Sequence, residues 1–441
     1  MAPGIGPATF RAAIAYNRDL LAPMLDVPVA SLSACTPDSD ADRLAAEEEE
    51  ARRLLGGPDH AAPWAALWAI RDRGAPAAAS PEWIGHYVLG PVLAAWADCA
   101  AAMLTQAPKV HALALKRDGT ILGEAVRRHT PALAGRLSDA WLSRRSSAVA
   151  AIAGAHDREG LANLLIRMRH RPATAAEAAT ELGLPCPSHD PDLPLTGERF
   201  ERFCDLAATP ALCARLEDYV NEVRRTVLAH LDSLNLPEGS PLLLLDVGYA
   251  GTVQRCLKTI LALAGRKRPI HGLYFGTSPG ALWAMTDGST AGGVFGMLGA
   301  PEPFMPTFLR HRDVVECLLA QPEGELLGYN SSGHPRCAPS ALPPGQIAAA
   351  GRLQAAALAF VEHWGRQEAP LPSEDSAALA RLVLTRLFLQ PLPNEVAILA
   401  DWVHADATSL GAPRRLAEGP PLADASREQM LWPAAAMSRL T

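Results

Sequence analysis

Apolar residues along this chain follow two rhythms. Over Leu242-Leu-Leu-Leu245 they run without interruption, as expected of a parallel strand buried on both faces. Beyond the glycine-containing segment 248–252, the apolar positions Val253, Cys256, Leu257, Ile260 and Leu261 recur every three or four residues, which predicts a helix. Gly265 stops that helix, with Arg266, Lys267 and Arg268 at the negative end of its dipole and Pro269 beyond. A further apolar run from Ile270 to Phe275 predicts the next strand and completes a βαβ unit. A fainter copy of the same order lies upstream. Val110 to Leu115 is a short apolar run, Lys116-Arg-Asp-Gly119 a polar turn, and Thr120 the expected cap of a helix with Ile121, Leu122, Ala125 and Val126 on one face. A second strand is expected over Asp139 to Leu142, running into Ser143-Arg144-Arg145.

Elsewhere the period is helical, punctuated by proline and glycine. Five regions follow: a helical N-terminal region, 1–108; the first part of an α/β core, 109–150; a helical insertion, 151–238; the second part of the core, 239–330; and a helical C-terminal region, 331–441. The fold class expected is α/β, a parallel sheet core with a helical insertion and helical additions at both ends. The two βαβ units are expected to share one sheet despite the insertion between them. Individual helices are expected over Asp40 to Leu55, Trp83 to Leu104 (broken at Gly90-Pro91), Pro210 to Leu234, Arg312 to Ala320, Gln346 to Gln367, Ser376 to Leu389 and Asn394 to His404.

Composition narrows the partners. At 441 residues the chain exceeds a single small core, and its 49% hydrophobic and 20% charged residues suit a folded globular protein. A net charge of -7 gives no whole-surface attraction for nucleic acid, so any polyanion site must be local. The only lysines are Lys109, Lys116, Lys258 and Lys267, which leaves phosphate contacts mainly to arginine forks and backbone N–H groups. The eight cysteines form no C-x-x-C pair, and no disulfide framework is expected. The first residues lack a basic segment followed by an apolar one, and the most apolar stretch, Val92 to Leu104, is interrupted by Asp98. Neither a signal peptide nor a transmembrane segment is therefore expected, which suggests a cytoplasmic protein.

Three segments carry candidate chemistry, each at the carboxyl end of an expected strand, where open parallel sheets bind ligands. In Asp246-Val-Gly-Tyr-Ala-Gly-Thr-Val-Gln254, Gly248 and Gly251 let backbone amides approach an anion, Thr252 adds a hydroxyl, and a helix N-terminus follows. The segment lacks the lysine of a Walker A loop and the spacing of a dinucleotide-binding fingerprint; its bland alternative is a ligand-free turn. Arg117-Asp118-Gly119 is a common turn made notable by its place after a strand. Ser143, Arg144 and Arg145 present two adjacent guanidinium groups, suited to phosphate or to solvent. His129, His189, His271 and His311 occur singly and are expected in core or surface roles.

Taken together, these segments resemble a type I phosphoribosyltransferase, and more specifically a bacterial group tied to surface polysaccharide synthesis whose members are often fused to a HAD-type phosphatase. The resemblance covers roughly residues 80 to 330. It implies that Arg117, Asp118 and Gly119 meet pyrophosphate, with Ser143, Arg144 and Arg145 assisting. It further implies that Gly248, Tyr249, Ala250, Gly251, Thr252 and Gln254 hold the 5′-phosphate while Asp246 touches ribose hydroxyls. Glu316 echoes a recurring acidic position. The implied donor is phosphoribosyl pyrophosphate with Mg²⁺, and the implied acceptor a glycan or lipid-linked glycan, with contact at the membrane periphery. Val247 stands where that family carries a second acidic residue, and no phosphatase nucleophile is recognisable, so a separate sugar-phosphate phosphatase is expected as a partner. A noncatalytic phosphate- or nucleotide-binding regulator and a scaffold in a polysaccharide-synthesis complex are the competing expectations.

Overall fold

The apolar runs do pair into one sheet. The computed structural model describes residues 80–167, 171–297, 304–366, 373–405, 413–417 and 431–438. Expectations for the segment 1–79, including the acidic helix from Asp40 to Leu55, lie outside these residues. The chain is mixed α/β around a five-stranded, all-parallel sheet of order β2-β1-β3-β4-β5. In chain order, helix α1 (Pro81–Gln106) leads to β1 (His111–Leu115), α2 (Asp118–His129), β2 (Leu137–Ala140) and α3 (Arg144–Ala151). Short helices and the long α4 (Pro210–Ser233) form the insertion, then β3 (Leu242–Asp246), α5 (Thr252–Leu263), β4 (Ile270–Tyr274) and β5 (Ala291–Gly293) complete the sheet. The C-terminal part contributes α6 (Phe304–Arg310), α7 (Arg312–Leu319), the hairpin β6 (Leu326–Tyr329) and β7 (Pro335–Cys337), α8 (Pro344–Trp364), α9 (Ser373–Leu389), α10 (Pro393–Leu399), and the small pair β8 (Val403–His404) and β9 (Arg414–Arg415).

Strand alternation divides the core into two layers. Leu243 and Leu245 of β3 and Ala112 of β1 join a core with α1, α2 and the C-terminal helices. Their neighbours Leu242, Leu244, Leu113 and Leu115 point the other way, against Val227 and Leu231 of α4 and Leu257 and Ile260 of α5. The insertion builds a smaller core of its own around Leu161, Phe200 and Phe203. Sheet order reverses between β1 and β3, which makes the carboxyl ends of those two strands the topological switch point, the usual ligand crevice of such sheets.

Several expectations require correction. Helix α1 is not broken at Gly90-Pro91; a π-helical turn over Gly85–Leu89 widens the backbone just before the proline and absorbs its missing N–H and ring clash. This same helix is long and apolar enough, by length and composition, to cross a membrane, contrary to the expectation that no such stretch exists. Yet 72% of its most apolar window is buried inside the fold. Asp98 there pairs with His129 at 2.8 Å and accepts a hydrogen bond from Trp364 Nε1 at 3.0 Å, as fits a central core helix. Thr120 does not cap α2, which starts at Asp118 with Arg117 in the cap position, and β2 begins two residues before its expected start. The segment expected as helix up to His404 ends at Leu399, and His404 sits on a strand.

Candidate functional site

The loop after β1 turns sharply. Arg117 has φ 79°, a conformation costly for a residue with a Cβ, and strain of this kind persists where surrounding packing fixes it. The packing is visible one residue pair later. A Cβ on Gly119 would lie 2.6 Å from the Leu245 carbonyl oxygen, so the start of α2 rests directly on the end of β3. Gly119→Ala is expected to cost about 1–3 kcal/mol through overpacking, read as a lowered urea midpoint with unchanged slope; a wild-type midpoint would contradict the close approach.

After β3, Asp246 accepts hydrogen bonds from the backbone N–H groups of Val247 and Gly248. Val247 is buried in the core beneath the sheet and offers no polar side-chain atom to the crevice. Gly251, at φ 62°, caps α5 in the left-handed conformation, and Thr252 opens that helix. The Tyr249 carbonyl accepts from the Ser278 N–H at 2.8 Å, while Ala250 is exposed. Gln254, expected at phosphate, is instead fully buried. Its Nε2 donates to the carbonyls of Ile270 and Thr290, and its Oε1 accepts from Tyr274 Oη at 2.9 Å. It is a strut between α5 and the sheet.

The basic pair after β2 divides in the same way. Ser143 caps α3, sharing a capping box with Ser146, and Arg145 pairs with Glu181 of the insertion at 2.8 Å. Ser143 thus serves as a helix cap, and Arg145 ties α3 to the insertion. Arg144 stays with the site, for its charge acts on Asp118, Asp246 and Glu316 alike.

Carboxylates dominate the crevice. Burial pushes Asp118 up to about 6, offset in part by Arg117 and reinforced by Glu316. Burial and then the charge of Asp118 push Asp246 up to about 7, against Arg144 and its two backbone donors. Asp118 has no hydrogen-bond or ion-pair partner among the described residues and lines a cavity of about 300 Å³ with Arg117, Glu316, Gln321, Val403 and His404. The 246–252 loop borders the switch point but does not line this cavity.

Glu316, without an assigned role in the sequence, lines this cavity. Tyr249 Oη donates to its Oε1 at 3.1 Å, and His404 Nε2 approaches its Oε2 at 2.9 Å. Burial works to raise this carboxyl, but the His404 hydrogen bond and charge, with Arg312 and Arg144, hold it below the usual range. Asp313, one turn earlier on α7, lies 3.7 Å from His404 Nδ1 and 3.8 Å from Arg312 Nε. Spacing of three on one helix was a readable signal for Asp313 and Glu316. His404, a further 88 residues along, left none.

Beside the glycine loop, the turn Pro279–Ala284 carries Trp283, 73% exposed, and Leu282, 60% exposed. Ala281 and Ala284 of this turn pack against Gly251. Neither a model of a known protein family nor any curated protein sequence matches the chain.

Proposed function

We propose that the protein is a phosphoribosyltransferase-like glycosyltransferase that moves phosphoribose from phosphoribosyl pyrophosphate to a hydroxyl of a glycan or lipid-linked glycan. The observation that carries this reading is the meeting of two polar loops, Arg117-Asp-Gly119 and 246–252, at the switch point between β1 and β3. Such an arrangement suits a ligand with phosphate at both ends: arginines at one end, backbone amides and a helix N-terminus at the other.

The donor set also suits Mg²⁺. Asp118 and Asp246 are close enough for one charge to raise the other, and an oxygen-seeking divalent cation between them and pyrophosphate would relieve that repulsion. When bound, the ion supplies charge neutralisation of the departing pyrophosphate. The chain's own residues would do the rest. Arg117 and Arg144 draw the leaving group's charge, the N–H groups around Gly251 hold the 5′-phosphate, and Asp246 orients the ribose. No strong protein nucleophile is needed, because the anomeric carbon develops positive character as pyrophosphate leaves. Trp283, next to the glycine loop, offers an apolar face on which an acceptor sugar ring can stack.

Val247 supports a second reading, a regulator that binds the donor without turning it over. Calorimetric titration of phosphoribosyl pyrophosphate with Mg²⁺ into wild type, Gly251→Asp and Arg117→Ala separates these cases. Micromolar binding lost at least tenfold in both folded variants is the expected result. Binding without pyrophosphate release in the presence of glycan acceptors would favour the regulator. Absence of binding by the wild-type chain would overturn the donor assignment.

A further inference from the structure

We propose that Asp313, Glu316 and His404 form a second cation site, one that holds a divalent transition-metal ion of the Zn²⁺ class without any help from a phosphorylated donor. One ligand atom from each residue lies within 4.8 Å of the other two, and all three side chains are only partly buried. Two come from one face of α7, and the third arrives from β8, which packs on that helix. Glu316 and His404 both line the 300 Å³ cavity, so an ion at this place is reachable from solvent and keeps open coordination positions toward it.

Chemistry selects the ion. One imidazole with two carboxylates is a borderline donor set, suited to Zn²⁺ or Mn²⁺, whereas Mg²⁺ binds oxygen almost exclusively. Bonds of about 2.0–2.2 Å at a tetrahedral centre hold two ligand atoms about 3.4 Å apart. His404 Nε2 and Glu316 Oε2 stand 2.9 Å apart, at hydrogen-bonding distance, so an ion takes the place of that hydrogen bond after a separation of a few tenths of an ångström. Surrounding groups are already placed as outer partners: Tyr249 Oη donates to the remaining Glu316 oxygen, and Arg312 lies beside Asp313.

A third carboxylate faces the same space, near the Arg117 charge. Asp118 opens onto this cavity with no hydrogen-bond or ion-pair partner among the described residues, although its charge interacts with those of Glu316 and His404. The inference does not rest on the phosphoribosyl reading, since it needs only metal and protein.

The test uses full-length protein stripped with chelator, then dialysed against Zn²⁺, with Co²⁺ as a spectroscopic stand-in. One Zn²⁺ per chain is expected, together with a cobalt spectrum lacking a thiolate charge-transfer band, since no cysteine belongs to the set. Glu316→Gln and His404→Asn are each expected to weaken Zn²⁺ binding at least tenfold while retaining the wild-type circular dichroism spectrum. Asp313→Asn, which leaves the Glu316–His404 contact in place, provides the same readout if either of those variants fails to fold. Wild-type protein that takes up no stoichiometric Zn²⁺, or folded variants that keep the full equivalent, would overturn the proposal. Donor binding measured with Mg²⁺ in the stripped protein reports separately on the phosphoribosyl reading.

Discussion

Replacing Asp246 with Asn is expected to give a protein more stable than wild type at pH 8, equally stable near pH 4, and unable to bind donor. In the folded chain burial and then the charge of Asp118 push this carboxyl up to about 7 from an ordinary value of 3.8. At low pH it is neutral in both folded and unfolded chains. As pH rises past its ordinary value the unfolded chain ionises first, so folding stability falls until pH passes about 7 and stays constant above it. At roughly 1.4 kcal/mol per pH unit, the loss is at most on the order of 4 kcal/mol. Asn keeps an oxygen for the Val247 and Gly248 N–H groups but carries no charge, so the variant escapes the decline. His311, whose burial lowers it to about 4, gives a pH dependence of opposite sign, but it is common to both proteins and drops out of the difference. Urea unfolding at pH 4, 6 and 8 in chelator measures that difference. A variant no more stable than wild type at pH 8 would contradict the buried, repelled state of Asp246. Stability gained as binding is lost is the pattern of a residue kept for function.

The largest loss of stability is expected far from the crevice. Glu395 and Arg386 form a fully buried bidentate pair, with Nη1–Oε2 and Nη2–Oε1 at 2.8 and 2.6 Å and relative side-chain exposures of 0% and 2%. Glu395 Oε2 also accepts from the Leu392 N–H at 2.8 Å, which ties the start of α10 to α9. Glu395→Ala removes the bidentate partner of a buried guanidinium and the acceptor of the Leu392 N–H, and is expected to cost about 3–5 kcal/mol in urea unfolding. Replacing both partners with apolar residues of similar volume, as in Arg386→Met with Glu395→Leu, is expected to recover most of that loss, because neither side chain of the pair then carries a charge to be desolvated. A single-variant loss below about 1 kcal/mol would contradict the pair's burial. Because α9 packs on α1 and on α6, next to α7, this pair supports the scaffold of the crevice without touching it.

Much of this architecture is legible locally. The uninterrupted leucines of β3 and the three-and-four spacing after Gly251 announce a buried strand and its helix, because backbone period and solvent exposure are written in neighbouring residues. So is the place of the two loops, since each follows an apolar run. Local pattern fails where a segment's state depends on distant contacts. Strand β5 is Ala-Gly-Gly, which has no β propensity of its own and becomes a strand only because β4 offers it an edge. His404 lies in a stretch with helical composition, yet pairs with β9 and turns toward Glu316. Gln254 carries the same amide whether it meets phosphate or a buried carbonyl; only the position of β4 and the following turn decides which.

The sequence alone determined the class of fold, the position of the loops after β1 and β3 and the net charge of -7, all of which follow from local period and composition. The tertiary structure decided which charged groups share a cavity. It engaged Ser143, Arg145 and Gln254 in structural contacts and brought Asp313, Glu316 and His404 together near Asp118. The physical reason is that convergence across many residues is fixed by packing of whole layers, a sum of many small burial terms, and leaves no mark on the residues that converge.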